Sequence, residues 1–124
     1  MFDPVLFVDD DFDLRELMEM TLVRAGARHV VTAGSLYEVQ VHRNEVLACQ
    51  LAILDINLGI DQPNGVEVHH WLGREGFAGK IVFLTGHAAN DPQVKQAANV
   101  AGSQIASKPL SVAQLRGLLE APAT

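Results

Sequence analysis

Cysteine occurs once in this 124-residue chain, at Cys49. No disulfide can form within it, and a zinc centre built on several thiolates lacks its ligands. Basic residues are scarce as well, with 9 Lys+Arg against 15 Asp+Glu and a formal net charge of −6. That balance withholds the basic face on which unaided binding to DNA or RNA depends. No apolar run approaches the roughly 18 residues of a membrane span. Repeats, low-complexity tracts and a leader segment are not visible either. With a single thiol, this reading points to the cytosol. What remains is ordinary for a soluble domain, at 48% apolar and 19% charged residues. The length suits one domain over residues 1–124, with enough chain to bury a core without covalent staples. The end, Ala121-Pro122-Ala123-Thr124, reads as a frayed tail, and no linker to a second domain is seen.

Strand and helix signals alternate along the chain. Val5–Val8, His29–Ala33, Leu51–Leu54, Ile81–Leu84 and the weaker Gln104–Ser107 read as short strands. Between the first two, Leu14, Leu17, Met18, Thr21, Leu22 and Ala25 recur at helical spacing, and Gly26 stops the helix. Ser35 with Glu38 has capping-box spacing and predicts a helix running toward Cys49. A loop from Asn57 to Asn64 precedes a helix opened by Gly65, with a buried stripe of Val66 or Val68, Trp71 and Leu72. His69-His70 on that helix reads as surface, because neither has a partner at i+4. Asp91-Pro92 is an N-cap with proline at the first helical position. Ser111 with Gln114 repeats the capping-box spacing before Leu115, Leu118 and Leu119, and Gly117 costs that last helix about 1 kcal/mol relative to alanine. Alternating βα units imply an α/β fold, a parallel sheet covered on both faces. Ligands in such sheets bind beyond the carboxyl ends of the strands.

Those strand ends carry Asp9-Asp10, Asp55, Thr85 and Lys108. Three carboxylates meeting there would repel. At about 5 Å and an effective dielectric near 20, each like-charged pair costs roughly 3 kcal/mol. A proton or a cation relieves this, and an all-oxygen, partly open site suits Mg²⁺ (or Mn²⁺), with the Asn57 carbonyl as a further ligand. A carboxylate is also a nucleophile toward phosphorus. Phosphoryl transfer asks mainly for positioning and charge neutralisation, which the Lys108 ammonium and Thr85 hydroxyl can supply while Gly86 leaves space.

Four motifs, Val8-Asp9-Asp10, Leu54-Asp55-Ile56-Asn57, Leu84-Thr85-Gly86-His87 and Lys108-Pro109, stand in the order and spacing of one family. Along almost its whole length the chain resembles the CheY-like receiver domains of two-component response regulators. The resemblance implies a doubly wound (βα)5 flavodoxin-like three-layer sandwich with a five-stranded parallel sheet in the order 2-1-3-4-5. It implies that Asp55 accepts a phosphoryl group from a histidine kinase or histidine phosphotransfer protein and signals to a downstream protein. Asp10 would touch Mg²⁺ directly, Asp9 mainly through water, and the Asn57 carbonyl would complete the ligands. Thr85 and Lys108 would hold the phosphoryl oxygens, and Lys108-Pro109 would be cis. Such a chain catalyses only its own phosphorylation and dephosphorylation. No membrane or direct nucleic-acid contact is implied, and a homodimer is left open.

The chain departs from the family in three places. Ile105 stands three residues before the lysine, where the family has Tyr or Phe that swings inward behind the threonine. Leu110 replaces a frequent Phe, and the loop Leu58–Gly65 is longer than the common form. His87, two after Thr85, is expected to tune hydrolysis. Two other functions compete with the switch. A receiver-like interaction module without phosphate-driven switching is favoured by Ile105. A metal-dependent phosphatase would need an acid two residues after the nucleophile, where Asn57 stands.

Overall fold

Strand β1 (Val5–Val8) is buried at every position, as an unbroken apolar run requires of a strand covered on both faces. Strands β2 (Val30–Ala33), β3 (Leu51–Asp55), β4 (Lys80–Thr85) and β5 (Gln104–Ser107) join it in one sheet of order β2-β1-β3-β4-β5. Every pairing is parallel. The computed structural model describes residues 2–59, 61–86, 91–100 and 104–120. The helices are α1 (Phe12–Ala25), α2 (Leu36–Val41), α3 (Arg43–Leu47), α4 (Gly65–Arg74), α5 (Pro92–Ala98) and α6 (Val112–Leu119). None among the described residues is long and apolar enough to cross a membrane.

The two-residue period of the strands divides the core. Leu6, Val8, Ala52, Leu54 and Phe83 pack toward Val39, Val46, Val66, Val68, Leu72, Val94 and Ala97 of α2 to α5. Val5, Phe7, Leu51, Ile53, Val82 and Leu84 pack toward Met18, Leu22, Ala25, Leu115, Leu118 and Leu119 of α1 and α6. The result is the doubly wound, flavodoxin-like three-layer sandwich, order 2-1-3-4-5.

Side-chain caps open every described helix except α3. The Asp11 side chain accepts from the Leu14 N–H, Asn64 from Glu67 and Asp91 from Gln93. At Ser111 both bonds of the capping box form. At Ser35 only half of it does: Ser35 accepts from the Glu38 N–H, but the Glu38 carboxylate reaches one residue further back, to the Gly34 N–H at 2.7 Å.

Three expectations are corrected. The single helix from Ser35 toward Cys49 is two short helices broken at His42, which makes no side-chain cap. His42-Arg43-Asn44-Glu45 is polar throughout, so packing has nothing to hold in that turn. Leu17 is 58% exposed. Met18, Leu22 and Ala25 form the buried strip of α1, and Leu17 is turned about 100° away from Met18. His69 is not a plain surface residue. Its ring stacks on Phe83 with centroids 5.6 Å apart, and its buried Nδ1 has no hydrogen-bond partner. Burial, and then the neighbouring His70, hold its pKa below the ordinary 6.5. Trp71 is packing, as its helical position suggested. The tail 121–124 lies outside the described residues.

Candidate functional site

Parallel register is what gathers the site. Val8 pairs with Leu54, Asp55 with Leu84 and Thr85 with Ser107, so four strands end at one edge. The ladder continues one residue further, with Asp9 N–H donating to the Ala33 carbonyl, Ile56 to Leu84 and Lys108 to Thr85. Side chains just past that edge converge. Lys108 Nζ lies 3.0 Å from Asp9 Oδ2 and 3.0 Å from Asp55 Oδ2. Asp9, Asp10 and Asp55 each offer a carboxylate oxygen, all within 4.8 Å of one another. The predicted set is thus brought together, with Thr85 buried at the same edge.

Each group is fixed by its own neighbours. Asp9 Oδ1 accepts from the Asp11 N–H at 3.0 Å, and its carbonyl accepts from Arg15 Nη1 at 2.7 Å. Asp55 Oδ1 accepts from the Asn57 N–H at 3.3 Å. The Asn57 side chain in turn accepts from Gly59 N–H at 3.0 Å. Gly59 has φ 115° and Asp61 φ 59°, the left-handed conformations that reverse this loop; glycine takes them freely and aspartate tolerates them. The chain then returns so tightly at Gly65 that a β-carbon there would collide with the Asp55 carbonyl oxygen. Gly65 N–H closes the excursion on the Ile56 carbonyl at 2.8 Å. Lys108-Pro109 is cis, as expected, and Asp3-Pro4 is cis too.

A cavity of about 290 Å³ opens above these groups, lined by Asp10, Asp55, Asn57, Gly86 and Lys108. Asp9 is buried and Asp10 exposed, so the two adjacent carboxylates differ in access. Burial pushes the Asp55 pKa up; the Lys108 hydrogen bond opposes this and the Asp9 charge adds to it, leaving it at about 6. Burial alone would lower the Lys108 pKa, but its hydrogen bonds to Asp9 and Asp55 outweigh that and raise it. Near neutral pH the centre therefore pairs the Lys108 ammonium with the Asp55 carboxylate. The donors that line the cavity are oxygens, with an exposed carboxylate at its rim. That set fits a hard divalent cation.

The family model for the response regulator receiver domain matches residues 5–120. The chain belongs to this family. It is similar to a receiver protein from Sinorhizobium medicae, at 28% identity over 93% of this chain and 89% of that one, with a TM-score of 0.73. It also resembles the chemotaxis protein CheY4 of Vibrio cholerae (25% identity, 90% of each chain, TM-score 0.69). The NtrX receiver domain of Brucella abortus shares the fold, at 23% identity, 90% and 91% coverage and a TM-score of 0.72. No curated protein sequence matches the chain. A receiver serves two-component signalling, working with a histidine kinase or phosphotransfer protein rather than turning over substrates as an enzyme.

Arg15 was not anticipated from sequence. Its guanidinium anchors the Asp9 carbonyl and fills the space a side chain at Gly34 would need. An arginine on the first turn of a helix beside an acidic cluster was the available signal. Ile105 is half-buried and packs on the same core as Val94 and Ala97. His87 lies outside the described residues.

Proposed function

We propose that Asp55 is the phosphoacceptor of this receiver, with Lys108 and Thr85 holding the phosphoryl oxygens. The supporting observation is the Asp55 carboxylate, 3.0 Å from the Lys108 ammonium, at the floor of a cavity open to solvent. An Asp55 oxygen attacks the phosphorus of a phosphohistidine on the kinase or phosphotransfer protein. The new O–P bond forms as the P–N bond breaks, and the imidazole nitrogen leaves with the electron pair and takes up a proton. In the reverse of the signal, water attacks phosphorus, the O–P bond breaks, and inorganic phosphate leaves with the Asp55 carboxylate restored. Ionised at neutral pH, Asp55 needs no base to act.

Asp10, Asp55 and the Asn57 carbonyl would hold Mg²⁺ (or Mn²⁺), with Asp9 outside them through water. When bound, the cation neutralises charge on the transferring oxygens. This chain's own residues supply the rest: Lys108 fixes the Asp55 carboxylate, Arg15 fixes the Asp9 backbone, and Gly86 leaves room for the incoming group. Residues 1–124 would act as one cytoplasmic receiver unit, with no direct contact to nucleic acid.

Incubation with Mg²⁺ and acetyl phosphate, read by intact mass and peptide mapping, tests this. The expected result is one phosphoryl group on Asp55, lost in Asp55→Asn. Absence of labelling would instead support a passive interaction module, which the packed Ile105 favours, and rapid turnover would support a phosphatase.

A further inference from the structure

Asn64 is a buried polar residue that uses both ends of its carboxamide. Its Oδ1 accepts from the Glu67 N–H at 3.1 Å and caps α4. Its Nδ2 donates to Gln96 Oε1 on α5, at 3.2 Å. Asn64 is also the residue before Gly65, whose backbone rests directly on the Asp55 carbonyl and bonds to Ile56. The Gly65 N–H donates to the Ile56 carbonyl at 2.8 Å, so this bond links the Asp55–Ile56 backbone to Gly65 and its neighbour Asn64. In the chain, α5 lies between β4, which ends at Thr85, and β5, which leads into Lys108.

We propose that the Asn64–Gln96 hydrogen bond couples the state of Asp55 to α5, making Asn64 a positioning residue for the switch. This rests on Asp55 being the phosphoacceptor. Phosphorylation converts the Asp55 carboxylate into an acyl phosphate and so changes the ion pair with Lys108. The displaced backbone pushes on Gly65 and Asn64, and the carboxamide carries the change across to α5. Ile105 packs against the same core cluster as Val94 and Ala97 and carries no ring to swing inward, so the polar tether from Asn64 to Gln96 offers another route to α5. A ligand shifts an equilibrium only through differential contacts, and this bond supplies one.

The test compares hydrogen exchange of α5 before and after labelling with acetyl phosphate and Mg²⁺, with Asp55 occupancy followed by intact mass. Gln96→Ala removes the acceptor from an exposed helix position. Asn64→Asp keeps the cap but replaces the Nδ2 donor with oxygen. In the wild type, α5 exchange should change by about three- to tenfold on labelling, a factor that one net hydrogen bond can carry. Both single variants should label normally yet lose most of that response, and Asn64→Asp with Gln96→Lys, which offers an ion pair instead, should regain it. An α5 response preserved in both single variants overturns the coupling while leaving Asp55 as phosphoacceptor intact. A wild type that does not label overturns both.

Discussion

At the scale of single residues, the most informative group is Asp55, because burial and the neighbouring Asp9 work against its charge. Its pKa stands at about 6 against an ordinary 3.8, so the folded state favours the protonated form. That preference stabilises the fold fully below pH 3.8 and is lost as pH rises through about 6. The shift corresponds to roughly 3 kcal/mol. Asp55→Asn, which removes the charge, should therefore gain stability over the wild type as pH climbs through this window, with a level difference above it. Thermal unfolding of both proteins across pH checks this; a constant difference would contradict it. His69 has the opposite sign. Its pKa is held below 6.5 by burial and by His70, so the neutral ring contributes stability above pH 6.5 that falls as pH drops through the lowered value. His69→Phe keeps an aromatic on Phe83 and removes the orphaned Nδ1. It should raise Tm and flatten the wild type's decline below pH 6.5. A steeper decline in His69→Phe would show that the ring is not the source.

Elements show where sequence suffices and where it stops. Strands and caps were legible because each rests on a local rule. Apolar runs marked β1, β3 and β4, and Ser35, Asp91 and Ser111 marked three helix starts. The site was legible for the same reason, since strand ends in a parallel sheet share an edge. Features set by tertiary contact were not. Leu17 fits a helical stripe but falls outside the narrow strip that α1 presents to the sheet. The break at His42 reflects missing packing rather than a breaker residue. His69 is half-hidden because β4 brings Phe83 beneath it. Two glycines test this distinction. At Gly117 in α6 a β-carbon would meet nothing within 4 Å, so Gly117→Ala should stabilise by about 0.5–1 kcal/mol. At Gly65 a β-carbon would strike the Asp55 carbonyl, so Gly65→Ala should destabilise the fold and slow labelling of Asp55. Denaturant midpoints of the two variants should move in opposite directions.

Over the whole molecule, the acidic site ties metal binding to stability. A cation that binds only the folded chain adds RT ln(1 + [L]/Kd), about 2.7 kcal/mol at a hundredfold excess over Kd. Mg²⁺ should therefore raise the Tm of the wild type reversibly, and a chelator should cancel the gain. Asp10→Asn removes an exposed carboxylate at the rim and should reduce that response without lowering the metal-free Tm. An undiminished Mg²⁺ response in Asp10→Asn would place the ion elsewhere.

Lys108 and Asp9 are separated by 99 positions, and Lys108 and Asp55 by 53. Contacts of such long range cost loop-closure entropy before they reward it. A ribosome-bound chain that has not yet released β5 carries the carboxylates without their ammonium. The proposed acceptor is therefore complete only once β5 has joined the sheet, and a partly folded chain lacks the ammonium with which it would answer a kinase.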